Sequence, residues 1–447
     1  MTHTHSFDNL ENLLHSHSTN KIIPGLERIS RLLQRLGNPQ DSFKAIHIVG
    51  TNGKGSTGAF ISSVLKASGY NTAFYSSPHL VSPGERLLVN GQALSPSDWV
   101  HAVQEAANVI HEGEELPSYF ELLTAGAFLL MREKNIDVGV VEAGLGGKLD
   151  ATNTMHNVIC SVIASISIDH TEYLGPTIES IAGEKFAVVR KNTPACFSGS
   201  PESLIPMFRK VCSENGALPF VVSEEAAVRN AHVSLTGNTL DFVANGFTLE
   251  GVHTGLIGSY QVKNAVLAMS AISLIRNVLP KITEDSVRQG LLSAAWPGRL
   301  ELAAKNPVVI LDGGHNFDGV ANLCRSIREL WPSEAGVNVK GKSIGVVYAA
   351  MRDKDYSGCL GLLSEELCPK LYVTTVPEMA RAAKPDELLA AANGLRWKNS
   401  PEGFALPEDA VKRACDDGND IVIVCGSLYL VGYIRAKNTS GNLCPDS

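Results

Sequence analysis

A chain of 447 residues is too long for one ordinary hydrophobic core, so two domains are expected. Its 44% hydrophobic and 19% charged residues exclude a disordered chain and fit a globular enzyme. A formal net charge of −8 gives no global field for nucleic acid, so an anionic substrate needs a local cationic site. His3, His5, His15 and His17 crowd the N-terminus and read as a solvated, partly disordered tail rather than a metal site. Ala45–Val49 is a short apolar run ending at a glycine, as a buried parallel strand would be. Helical spacing follows at Phe60, Ile61, Val64 and Leu65, and Asn71–Tyr75 reads as a second strand. Helices are expected over Asp98–Ile110 and Phe120–Arg132, with strands at Ile136–Glu142 and Val158–Ile168. The last run is too short to span a bilayer, and Ser161, Ser165 and Ser167 interrupt it.

Between Val228 and Ile257 the texture changes to short β-type runs separated by Thr236-Gly237-Asn238 and Asn245-Gly246, which predicts a small antiparallel patch. Helices at Gln261–Val278 and Glu284–Ala294 follow. Trp296-Pro297-Gly298-Arg299 cannot continue a helix comfortably, so the domain boundary is placed there, giving domains 1–296 and 297–447. Strands at Val308–Leu311, Ser343–Tyr348, Leu371–Val376 and Ile421–Cys425 then alternate with helices at Gly319–Leu330, Tyr356–Leu367, Pro385–Ala392 and Pro407–Cys415. The fold class is therefore α/β. An N-terminal domain has a mostly parallel sheet plus the antiparallel patch, and a C-terminal domain carries another open sheet of Rossmann type. Nine scattered cysteines without a CxxC pair read as reduced thiols, and with no export or membrane signal a cytoplasmic location is expected.

The clearest chemical signal is Gly50-Thr51-Asn52-Gly53-Lys54-Gly55-Ser56-Thr57, between a strand and a helix. Its glycines let backbone N–H groups turn toward phosphate oxygens, the helix N-terminus favours negative charge, and Lys54 supplies a point cation. The match to the common phosphate-loop pattern is imperfect: Ile48 stands where the first glycine belongs, and Gly55 separates Lys54 from Ser56. The loop alone implies triphosphate binding and does not separate ATPase, GTPase, kinase and ligase.

Further residues narrow the choice. The chain carries Ser76-Ser77-Pro78-His79-Leu80, Gly84-Glu85-Arg86, the run from Glu142 to Asn153 (EAGLGGKLDATN), Asp169-His170-Thr171, Gly183-Glu184-Lys185, Pro297-Gly298-Arg299, Asp312-Gly313-Gly314-His315-Asn316 and Gly426-Ser427-Leu428-Tyr429. In this order they resemble the folylpolyglutamate synthase family of the Mur ligase superfamily, from about Leu26 to Arg435. The resemblance implies an ATP-dependent amide ligase. A pteroate or folate carboxylate is phosphorylated to an acyl phosphate, and the amine of L-glutamate attacks it. It also implies a monomer that takes small molecules and neither nucleic acid nor membrane. A Mur ligase acting on a UDP-sugar would need a further N-terminal domain, for which the 49 residues before Gly50 leave no room.

Residue roles follow from the same resemblance. Thr51, Asn52, Gly53, Lys54, Gly55, Ser56, Asn264, Arg299 and Asp312 match ATP contacts. Ser77, Glu142 and His170 match magnesium ligands, although magnesium's preference for oxygen would by itself have favoured Asp169. Lys185 cannot ligate a cation as an ammonium; in related enzymes the matching lysine is carbamylated, which implies a carboxylate for a second magnesium. His315 is expected near the phosphates, with Asn316 supporting its loop; with Lys54, His170 and Lys185 it completes the catalytic set. Three segments match contacts to the pterin-bearing substrate: Ile22, Ile23 and Pro24; Ser118, Tyr119, Phe120 and Glu121; and Leu149, Asp150 and Ala151. Phe120 could stack on a flat ring. The first segment lacks the Asp of some bifunctional members, and Ser118 replaces their Thr, so folate elongation is better supported than dihydropteroate use.

Overall fold

The computed structural model describes residues 7–19, 21, 23–332 and 341–438. The chain divides into two compact units. One holds the residues up to Asn230 with Leu240–His253 and Lys263–Ala294. The other holds Ala231–Thr239, Thr254–Val262 and the residues from Ala295 onward.

The first unit is built on eight strands: β1 (Lys44–Val49), β2 (Thr72–Tyr75), β3 (Leu87–Val89), β4 (Gln92–Ala93), β5 (Val138–Glu142), β6 (Val158–Ile163), β7 (Pro194–Phe197) and β8 (Leu218–Val221). Their order is β4-β3-β2-β5-β1-β6-β7-β8. The six from β2 to β8 run parallel, while β3 and β4 add an antiparallel edge. The central strands are unbroken apolar runs because both faces are covered; every residue of β5 is buried. One face packs Ala45, Tyr75 and Val141 against Leu122, Phe128 and Trp99, and the other packs Val49 and Ile163 against Phe186 and Phe208.

Some of these expectations need correction. The run Val158–Ile168 stays in the sheet only to Ile163. Beyond it the backbone turns to bond the phosphate loop, where Ser165 O accepts from Thr51 N at 2.7 Å. His15 and His17 do not lie in a loose tail but in a helix, Asp8–His17, anchored by the fully buried Leu10 and Leu14; His3 and His5 lie outside the described residues. A second N-terminal helix, Glu27–Arg35, and the strands β7 and β8 were not foreseen. Their apolar runs are short, and β8 is half exposed.

Three further strands, β9 (Ala226–Ser234), β10 (Gly237–Ala244) and β11 (Phe247–Thr254), form the small sheet predicted from the turn residues. Asn245 and Gly246 join β10 to β11 with φ of +49° and +68°, as a two-residue hairpin of type I′ requires. The second unit carries β12 (Glu301–Lys305), β13 (Val308–Leu311), β14 (Ile344–Tyr348), β15 (Lys370–Val373), β16 (Glu402–Gly403) and β17 (Ile421–Cys425), in the order β12-β13-β17-β14-β15-β16. All pair in parallel except β12, an antiparallel edge. Among the described residues no helix is long and apolar enough to cross a membrane.

Candidate active site

Open parallel sheets hold ligands outside the C-terminal ends of their strands. Four adjacent strands, β2-β5-β1-β6, bring most of the expected residues of the first unit to that one edge. Ser77 follows β2, Glu142 ends β5, the phosphate loop follows β1, and the segment to His170 follows β6.

The loop turns into the helix Lys54–Ala67 at Gly53, whose φ of +89° suits glycine. A Cβ there would also stand 2.5 Å from Asn264 Oδ1, so the structure brings Asn264 onto the loop. The loop is laced to the segment beyond β6: Thr51 Oγ1 donates to Ser167 O at 3.1 Å, and Ser165 Oγ donates to Asn52 O at 3.1 Å. In the sequence Ser165 and Ser167 only interrupt an apolar run, which gives no sign of this role.

Two lysines meet at one carbonyl. Lys54 Nζ donates to Gly50 O at 3.1 Å and Thr51 O at 3.3 Å, and lies 3.7 Å from Glu142 Oε1. Lys185, on the helix Ile178–Phe186, donates to the same Gly50 O at 2.9 Å. Its side chain is 4% exposed. Burial, helped by the nearby Lys54 charge, pushes its pKa down to about 7. Ser56 is buried in the first turn of the helix, with Gly55 beside it. Ser77 is half-buried. His170 has φ of +51°, is half exposed, and its Nε2 lies 3.9 Å from Asp169 Oδ2.

The loop after Ser77 is shaped by residues the sequence had flagged without a role. Glu85 accepts the N–H groups of Leu80, Val81 and Ser82 at 2.9 to 3.2 Å. Arg86 Nε donates to His79 Nδ1 at 3.0 Å. Burial and Arg86 together lower the His79 pKa to about 4, so the ring stays neutral.

The pterin segments divide sharply. Phe120 stacks on Tyr75 with centroids 6.1 Å apart and lies over Gly144, where a Cβ would stand 2.7 Å from the ring. Leu149 is exposed, but Asp150 and Ala151 are buried. The Asp150 carboxylate accepts from Leu145 N at 2.8 Å and Thr152 N at 3.0 Å, so it braces the glycine-rich turn from inside. Burial raises its pKa against the pull of those bonds. Thr152 in turn meets the fully buried His47 at 2.8 Å, which ties the turn to β1. Ser118 caps the helix Tyr119–Glu133 in a reciprocal box with Glu121, and Tyr119 OH donates to Glu11 Oε1 at 3.0 Å. Ile23 is half-buried and Pro24 exposed; Ile22 lies outside the described residues.

In the second unit, Asp312 follows β13 directly and is buried. It accepts from Tyr260 OH at 2.7 Å, Leu300 N at 2.9 Å and Gly314 N at 2.8 Å. It therefore organises its own loop, and burial raises its pKa. Arg299 donates to Gly298 O at 3.0 Å. His315 Nδ1 donates to Gly313 O at 2.9 Å, and Asn316 caps the following helix by accepting from Gly319 N at 2.8 Å.

Known proteins share this fold. Residues 48–272 match the Mur ligase middle domain, and residues 298–428 match the Mur ligase glutamate ligase domain. The dihydrofolate synthase/folylpolyglutamate synthase of Bacillus subtilis is 34% identical over 93% of this chain and 95% of its own. A Mycobacterium tuberculosis folylpolyglutamate synthase complexed with ADP and AMPPCP superposes with a TM-score of 0.87 at 29% identity, over 97% of this chain and 98% of its own. A bifunctional folylpolyglutamate synthase/dihydrofolate synthase with Mn, AMPPNP and L-glutamate bound gives 0.82 at 28% identity, over 97% and 99%. The phosphate loop, the buried lysine beside it and the full-length likeness converge on one assignment: the chain belongs to the folylpolyglutamate synthase family of the Mur ligases.

Proposed function

We propose that the protein joins L-glutamate to dihydropteroate, to reduced folates, or to both, driven by ATP through an acyl phosphate. The observation that carries this is the meeting of Lys54 and Lys185 at Gly50 O, with Glu142 beside Lys54, at the sheet edge. A carboxylate is a poor acyl donor because its leaving group would be oxide. Transfer of the terminal phosphoryl group gives it a good one, and the glutamate amine then displaces phosphate to form the amide. Three anionic reactants must be brought together, which requires cations and aimed donors. Lys54 and the N–H groups of Asn52 to Ser56 serve the phosphates, with Asn264 over the loop. Arg299, Asp312 and His315 are the nucleotide contacts proposed for the second unit. Residues 1–296 are proposed to carry the ATP and folate sites, and 297–447 the ligase domain.

The donor set at the sheet edge suits a hard divalent cation. Glu142 offers a buried carboxylate and Ser77 a hydroxyl, and His170 stands exposed at its turn with Asp169 beside it. These residues would hold one magnesium, and a carbamate on Lys185 would hold a second. Bound metal neutralises phosphate charge during transfer. A monomeric state, implied by the family resemblance, and a cytoplasmic location belong to the same proposal.

Purified protein with MgATP and L-glutamate should release ADP when dihydropteroate or a reduced folate is added. Release with neither would remove the ligase proposal, and release with folate alone would limit the enzyme to chain extension. Gly144→Ala should push the Phe120 ring aside and raise the KM for the pterin substrate about tenfold, roughly 1.4 kcal/mol, with the KM for ATP unchanged. Steady-state kinetics with each substrate varied in turn check this.

A further inference from the structure

We propose that Arg28 is a positioning residue for the pterin-bearing substrate, fixing two of its contact segments against each other; this rests on the ligase function proposed above. Arg28 lies in the first turn of the helix Glu27–Arg35 and is only 6% exposed. Its guanidinium serves three segments at once. Nε donates to Glu121 Oε2 at 3.2 Å, Nη2 donates to Ile23 O, and Nη1 stands 3.7 Å from Glu115 Oε2. Ile23 belongs to the first proposed pterin segment and Glu121 to the second.

The ties are arranged so that one error propagates. Glu121 Oε2 also accepts Ser118 N at 2.6 Å, closing the cap of the helix that carries Phe120. Thr19 bridges Ser118 in parallel, and Tyr119 N donates to Thr19 O at 3.1 Å. The chain entering the Ile23 loop is thus bound to the chain entering Phe120 by backbone at one end and by Arg28 at the other. Among the described residues Glu121 Oε1 is buried without a hydrogen-bond partner, and Arg28 is the cation paired with that carboxylate. A buried ion pair is a poor device for stability alone and a better one for fixing geometry. The planar fork is what allows a carbonyl and two carboxylates to be held together. A lysine, a point charge on a flexible stem, cannot reproduce it.

R28K therefore tests geometry with charge retained. The KM for the pterin substrate should rise about 10- to 100-fold, as expected for misplaced contacts, while kcat and the KM for ATP stay within about threefold. If R28K fails to fold, R28Q, which keeps a planar donor and leaves the pterin segments unmutated, replaces it, and the same split in KM is expected of it. Wild-type KM for the pterin substrate in a folded variant, or an equal rise in the KM for ATP, would overturn the proposal. Wild-type enzyme assayed alongside separates this from failure of the ligase function, because that failure abolishes turnover in both proteins.

Discussion

Lys54→Ala should lower kcat/KM for ATP about 10³-fold, close to 4 kcal/mol of transition-state stabilisation, while the protein stays folded. The geometry accounts for both halves of the result. Lys54 Nζ sits among the Gly50 and Thr51 carbonyls and Glu142, where no apolar core depends on it. Its side chain is 18% exposed, so truncation opens the site to water rather than leaving a sealed cavity. What is lost is the cation proposed to meet the phosphates. There is a second loss. The Lys54 charge helps to hold the Lys185 pKa down, so removing it makes the Lys185 amine easier to protonate. Lys54→Arg keeps that charge and should damage phosphate transfer with less effect on Lys185. Circular dichroism and thermal melts check the fold. The rise in Tm on adding MgADP, present in the wild type and absent in the variant, checks the site. Undiminished turnover would show that this loop does not grip the phosphates.

The loop was legible in the sequence because strand, glycines, lysine and hydroxyls follow one another over a few residues. So were Glu142 and the strands around it, whose apolar runs report burial on both faces. What brings Ser77, Glu142, Gly50 and His170 to one edge is the order β2-β5-β1-β6, and no local pattern encodes strand order. The same limit hid Arg28. A charged residue in a short amphipathic helix reads as surface until the fold buries it beside Glu121. Asp150 shows the opposite case. Its motif marked it as a ligand contact, but its carboxylate is directed to Leu145 and Thr152 N–H groups. Motif matching finds residues a site depends on and does not distinguish those that touch substrate from those that shape the turn.

Lys185→Ala should abolish turnover to a similar degree, and a short carboxylic acid such as formate or acetate should partly restore it. An ordinary lysine is almost wholly protonated at neutral pH and cannot react with carbon dioxide. With its pKa near 7, Lys185 is about half neutral at pH 7 and about nine-tenths neutral at pH 8. The neutral amine adds to CO2, forms the N–C bond and releases one proton, giving a carbamate. That converts a residue unable to hold a cation into an oxygen donor beside the phosphate loop. Activity of CO2-depleted enzyme should therefore rise on adding bicarbonate, more at pH 8 than at pH 6. Stability carries its own sign. The folded pKa is lowered from 10.5, so below pH 7 the fold bears the cost of a buried ammonium. Between pH 7 and 10.5 the unfolded chain holds the extra proton, and this group's contribution to stability increases with pH. Native mass spectrometry of active enzyme in bicarbonate should show a mass increase of about 44 Da, the mass of one CO2, which Lys185→Ala lacks. Full activity from enzyme with an unmodified amine would leave Lys185 as a cation beside Gly50 O and assign the second metal to other ligands.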